Sequence, residues 1–209
     1  MPTHTVQQGE HLSGIAEQFG FQKIDTIWNH PNNADLKKLR KDPHILFPGD
    51  SLFIPDKTDK SAPATTAKVN KFEIEITKLK LNLKFQDIDG DPLADAPVAI
   101  SLEGQNIPPF TTDKDGKTSS EIKKSAQEGL LLIDDVQMLF KVGHLDPLDT
   151  QSGQIARLNN LGYEAGDTTT PDADAFKSAV EEFQCDQKLQ VDGNCGGATQ
   201  AKLKEVHGC

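Results

Sequence analysis

Residues 4–20 read "HTVQQGEHLSGIAEQFG" and change texture half way along. "HTVQQ" alternates polar and apolar residues as a strand does, and Gly9-Glu10 breaks the alternation. Leu12, Ile15, Ala16 and Phe19 then recur at i, i+3, i+4, i+7, which predicts a helix that Gly20 ends, with Ser13 and Glu17 on its solvent face. A second helical run around "KIDTIW" (23–28) places Ile24, Ile27 and Trp28 on one face, and "NADLKKLRK" (33–41) adds a further turn of helix. In "HILFPGDSLFIP" (44–55), Pro48-Gly49-Asp50 makes a turn, and Leu52 and Ile54 point to one side of a second strand. The order strand, helix, helix, strand predicts a small α+β unit over residues 1–56.

Composition points to several such units rather than one large domain. Only 35% of the 209 residues are hydrophobic, low for a single well-filled core. The net charge of -10 argues against nucleic acid or an anionic membrane surface as a partner. No run approaches the roughly 18 apolar residues of a membrane span. The opening "MPTHTVQQGE" lacks a basic region followed by an apolar run, so the expectation is synthesis in the cytoplasm without a secretory signal. Residues 57–71 carry Lys57, Lys60, Lys68 and Lys71 against Asp59 in a Ser/Ala/Pro/Thr-rich stretch, which predicts a linker.

Residues 72–135 predict a small β-sandwich. "FEIEITKLKLNLKF" (72–85) sets Phe72, Ile74 and Ile76 on one face, then Leu79, Leu81, Leu83 and Phe85 on one face after a phase shift. Asp89-Gly90 and Asp115-Gly116 are hairpin turns, and "APVAISLEG" (96–104) and "KTSSEI" (117–122) supply further strands. "DIDGD" (87–91) superficially fits a calcium loop, but the sixth and twelfth places, which need Gly and Glu, hold Pro92 and Val98.

Residues 136–209 predict three short helices around one core. Ile155, Leu158, Leu161 and Tyr163 mark the first, which Gly162 closes. Phe176, Val180 and Phe183 mark the second, and Ala201, Leu203 and Val206 the third. All three cysteines, Cys185, Cys195 and Cys209, lie here without metal-ligand spacing. A Cys185–Cys195 disulfide and three reduced thiols are equally open readings. Six histidines form no HExxH or HxH motif, so neither a metal site nor a cofactor is expected. His207 and Cys209 could in principle make a nucleophile pair, but a chain end fixes reactive geometry poorly, and no catalytic residue is assigned. Trp28 has the spacing of a core residue, which leaves Phe47, in the loop before Pro48, as the better candidate for an exposed ring.

"HTVQQGEHLSGIAEQFG" followed by "ILFPGDSLFIP" (45–55) resembles the LysM domain, a small module that binds N-acetylglucosamine-containing glycans. The resemblance implies a βααβ fold. Its glycan groove would lie between the loop Gly9, Glu10, His11, Leu12 and the loop Leu46, Phe47, Pro48, Gly49. "HPNNADLKKLRKD" (30–42) is longer and more charged than the family's usual connection. "DGDPLADAPVAI" (89–100) with "TTDKDGKT" (111–118) is similar to transthyretin-like or immunoglobulin-like sandwiches that serve as spacers. "AFKSAVEEFQCDQKLQVDGNCGGATQAKL" (175–203) resembles the three-helix peptidoglycan-binding domain, through Phe183, Gln184, Asp192, Gly193, Gly196 and Thr199. Most of these positions have structural reasons: Asp192-Gly193 for a tight turn, Gly196 for the backbone at a helix start, Thr199 to cap or brace the last helix. The first half, "GDTTTPDADAF" (166–176), departs from that family's repeat.

The order of modules, and above all "GHLDPLDTQSGQIARLNNLGY" (143–163), resembles wall-binding proteins associated with the spikes of type VI secretion and related contractile injection systems. That implies a non-enzymatic, multidomain α+β protein that binds peptidoglycan glycan strands as a spike accessory or cargo, delivered to the periplasm or a target envelope. Two alternatives stay open. One is a structural connector that binds a spike or baseplate protein rather than glycan; the other is a wall-degrading effector.

Overall fold

The computed structural model describes residues 3–58, 61–73, 78–87, 89–102 and 104–209. At the N-terminal end, β1 (Thr3–Thr5) and β2 (Ser51–Phe53) pair antiparallel, with His4 opposite Leu52. Between them stand α1 (Leu12–Gln18), the single turn α2 (Asp25–Trp28), a 3-10 turn (Pro31–Asn33) and α3 (Ala34–Arg40). The expected βααβ order is therefore extended by a third helix, drawn from the long charged stretch. Asn33 makes that helix integral. Its side-chain NH2 donates to the carbonyls of Ile27 (2.8 Å) and Phe53 (2.9 Å), and its oxygen accepts from Phe53 N–H (2.8 Å). Leu36 of α3 joins Leu12, Ile15, Ile27, Trp28 and Leu52 in the core, so Trp28 is a packing residue.

No helix or strand occupies the described residues of 57–71, and these residues are exposed. The strands that follow are β3 (Leu79–Lys84), β4 (Pro97–Leu102), β5 (Gln105–Asn106), β6 (Phe110–Thr111), β7 (Lys117–Ile122), β8 (Glu128–Ile133) and β9 (Val136–Lys141). β3 and β7 form one sheet; β5, β4, β8 and β9, with β6 on β4, form another. The two sheets share a core of Phe85, Val98, Ile100, Leu102, Ile122, Leu131 and Ile133. Leu79, Leu81 and Leu83 pack against it, in the phase their spacing predicts. Ile74 and Ile76 lie outside the described residues.

The boundary expected at 135 falls inside a hairpin, because Ile133 pairs with Val136 and Glu128 with Lys141. Asp134-Asp135 reads as the end of a module but is the turn between β8 and β9, and "VQMLFK" lacks the alternation that would mark a strand. The two Asp-Gly loops are built alike. Asp87 Oδ1 accepts from the N–H groups of Asp89 and Asp91, and Asp113 Oδ1 from those of Asp115 and Lys117. Such carboxylates fix turns. No group of three acidic, His or Cys side chains among the described residues is placed to hold a metal ion.

At the other end, α4 (Gln151–Asn160), α5 (Ala173–Asp186) and α6 (Gly197–His207) enclose Ile155, Leu158, Ala179, Val180, Phe183 and Leu203. Thr150 caps α4 through Gly153 N–H (3.1 Å), and Asp172 caps α5 through the N–H groups of Asp174 and Ala175. No helix among the described residues is long and apolar enough to cross a membrane.

Candidate functional site

The two loops expected to hold a glycan differ in how open they are. In the first, Glu10 accepts from Gln7 N–H (2.9 Å) and lies 2.7 Å from His4 Nε2. His11 is 5% exposed and caps α1, its Nδ1 accepting from Gly14 N–H at 3.4 Å. Burial, then the charge of His44, lowers its pKa below the usual histidine value. Gly9 and Leu12 are buried as well.

In the second loop Leu46 is core, Phe47 and Pro48 are half-buried, and Gly49 is exposed. Phe47 is not the free ring expected. The Arg40 guanidinium lies 5.4 Å from its centroid, a cation–π distance. Arg40 is itself held by Asp50 through Nε (2.7 Å) and Nη2 (2.9 Å), and Asp50 also accepts from Phe47 N–H (2.9 Å). The long α3 segment thus carries a cation onto the ring. The paired spacing of Arg40 and Asp50 gives no sequence signal of this.

A connector, residues 142–149, lies against the first loop. A Cβ on Gly143 would stand 2.4 Å from the Gly9 carbonyl oxygen and 3.0 Å from His11 Cδ2, and one on Gly9 would stand 2.6 Å from His144 Nε2. Both glycines have positive φ (79° and 88°), so their side-chain-free backbones are needed twice over. Gln8 Nε2 reaches Asp146 Oδ1 at 3.5 Å. On the other flank the Lys124 carbonyl hydrogen-bonds the His11 ring and would sit 3.3 Å from a Cβ on Gly14. Ser13, expected on the solvent face, is buried beside this contact. What stays open here is a cleft of about 250 Å³ bounded by Glu10, Gly14, Glu17, Lys124 and Gln127.

The connector is tied equally firmly to the helical module. Asp146 Oδ2 accepts from Ser152 Oγ (2.6 Å). Arg157, 1% exposed, donates from Nη1 to the carbonyls of Asp146 (2.9 Å) and Gly153 (2.7 Å), and from Nε to that of Cys209 (2.8 Å). Burial works against its charge, while Cys209 and the Asp146 carboxylate work for it. Sequence reasoning missed Arg157. Its signal was a charge in the apolar phase of α4, between Ile155 and Leu158.

In the helical module the motif residues build one network around Gln184. Its Oε1 accepts from the N–H groups of Asp192 (2.9 Å) and Gly193 (3.0 Å), and its Nε2 donates to Asp192 Oδ1, the Asn194 carbonyl and Thr199 Oγ1. Phe183, Gln184 and Thr199 are buried, and Thr199 braces α6 from inside while Gly196 is its N-cap. Gly196 has φ −77° and open space where a Cβ would stand, so no special glycine backbone is used there. The Asp192 carboxyl lies below its usual range because Asn194 N–H and then Gln184 donate to it. In the departing half, Asp167 binds Thr169 and Thr170, and its pKa falls to about 2.

Cys185, Cys195 and Cys209 stand as free thiols in the structure. Cys195 packs against the core, where burial pushes its pKa up to about 11, whereas Cys185 is exposed on α5. Cys209 Sγ lies 3.2 Å from His207 Nδ1. Burial raises the thiol and, together with the charge of Arg157, lowers the imidazole to about 4. Both shifts oppose a thiolate–imidazolium pair.

Comparison with known families falls on the two ends of the chain. No curated protein and no solved structure matches it. Residues 4–37 match the LysM domain, a span that includes Gly9–Leu12 and stops short of Leu46–Gly49. Residues 156–203 match a peptidoglycan binding domain, including every residue of the Gln184 network. The chain therefore carries a LysM domain at its N-terminal end and a peptidoglycan-binding domain near its C-terminal end.

Proposed function

We propose that this chain is a non-enzymatic peptidoglycan-binding protein, an accessory or cargo carried with a contractile secretion spike. One observation supports it above the rest: two different wall-binding domains stand at opposite ends of a single chain. In this reading N-acetylglucosamine glycan binds between Gly9–Leu12 and Leu46–Gly49, through backbone N–H and C=O groups and the Phe47 ring. The two-sheet module is the transthyretin-like spacer between the two domains. The spike association rests on the likeness of residues 143–163 to spike-associated wall proteins. Two weak sites on one chain gain from effective concentration, so loss of either should weaken retention on the wall by about tenfold or more. The test is cosedimentation of the full chain with purified sacculi. Retention supports the reading, and a protein that stays in the supernatant contradicts it.

A second reading is favoured by the packing of Gly143 and His144 on the first LysM loop. There the loop is an internal joint, and the chain is a connector that binds a spike or baseplate protein rather than glycan. Protein that ignores sacculi but copurifies with a spike subunit is the outcome this reading requires.

A further inference from the structure

β3 is, among the described residues, an edge strand whose exposed face carries lysines. Among the described residues its one strand neighbour is β7, with Lys84 opposite Lys117 and Lys80 opposite Glu121. Phe85 N–H donates to the Gly116 carbonyl, which continues the same register. Bonded pairs alternate in an antiparallel ladder, so Leu83, Leu81 and Leu79 turn their backbone groups toward β7. The N–H and C=O groups of Lys80, Asn82 and Lys84 then point to the free edge.

The side chains of that strand separate by charge. Leu79, Leu81 and Leu83 pack on the core, and Lys78, Lys80 and Lys84 stand on the exposed face, with Lys117 beside them. Lys78 pairs with Glu121, but Lys80, Lys84 and Lys117 form no ion pair among the described residues. This is a positive face on a chain of net charge -10. It borders a cleft of about 1450 Å³ that is also lined by residues of the N-terminal module (among them Asp25, Asp42 and His44), by the connector and by Glu205–Cys209.

We propose that the β3 edge is a docking site for an extended acidic segment of a partner protein, added as a further strand. The free backbone groups supply the ladder, and the lysines select the sign of charge. Lysines along an edge repel basic strands, including β3 of a second copy, and leave acidic strands as the kind the edge admits. The inference does not depend on glycan binding.

The test is fluorescence anisotropy of the full chain with a fluorescein-labelled peptide of four Glu-Val repeats. Two comparisons accompany it: the same peptide N-methylated at every peptide bond, and the double variant Lys80→Glu with Lys84→Glu. The acidic peptide should bind. Charge reversal should weaken binding by about tenfold or more, and N-methylation, which keeps the charge but removes the donors, should weaken it comparably. Circular dichroism of the double variant should match the parent, because both lysines are exposed. Failure of the peptide to bind overturns the proposal, as does equal binding by the double variant. Equal binding of the N-methylated peptide also overturns it, because the face would then be a general polyanion surface without strand addition.

Discussion

The Gly9–Leu12 loop and the Asp192–Thr199 loop belong to the LysM and the peptidoglycan-binding domain, and they are held in opposite ways. The second is organised from within its own module: one amide, Gln184, binds Asp192, Gly193, Asn194 and Thr199. The first is organised partly from outside, by Gly143, His144, Asp146 and Lys124. A loop stabilised by its own module can be matched to a family and its motif residues understood without the rest of the chain. A loop that doubles as a joint is matched to its family as readily, but what covers it is encoded more than a hundred residues away. Motif residues therefore identify both domains, while the surroundings of the first loop come from distant parts of the chain.

The comparison can be broken most severely at Gln184. Gln184→Leu leaves the N–H groups of Asp192 and Gly193 without their acceptor and Thr199 without its donor, next to a buried apolar side chain. It should destabilise the helical module by about 3 kcal/mol and leave the N-terminal module's unfolding unchanged. Urea denaturation followed at Tyr163 for one module and at Trp28 for the other separates the two. Coincident loss at both reporters would show that the modules unfold as one unit.

Acid should act on both regions in the same direction. His207 is held at about 4 in the folded chain against 6.5 ordinarily, and the pKa of buried His11 is lowered too. A depressed histidine means that the unfolded chain binds more protons. The stabilisation is thus fully present above pH 6.5 and is lost as pH falls from 6.5 toward about 4. His207→Gln should flatten that part of the stability profile. An unchanged slope in the variant would remove His207 from the account.

Legibility in the sequence followed the range of the interactions. Helical spacing found α1, α4, α5 and α6, and alternation found β3, because each depends on residues within a few positions. Trp28 was placed in the core for the same reason. β9 is not legible in the sequence because every residue except Lys141 is apolar or amide, with no alternation, and because Asp134-Asp135 marks a turn as readily as a boundary. α3 was read as a single added turn, since its burial depends on Asn33 bonding to Phe53, twenty residues on. Phe47 was read as an open ring because Arg40 reaches it only through the fold. Spacing says nothing of which of Cys185 and Cys195 turns inward, so the sequence alone does not decide their pairing.

The connector packs on one side of the LysM loop, so a glycan bound at that loop, as proposed, has to compete with it there. Gly143→Val tests this competition most directly, since a side chain at that position cannot coexist with the Gly9 carbonyl at its present distance. Titration of the full chain with a tetramer of N-acetylglucosamine, by calorimetry, should show weak binding in the parent. In the variant it should show affinity higher by about tenfold, the size of an ordinary coupling between sites. Equal affinity in parent and variant, or no binding in either, would contradict the claim.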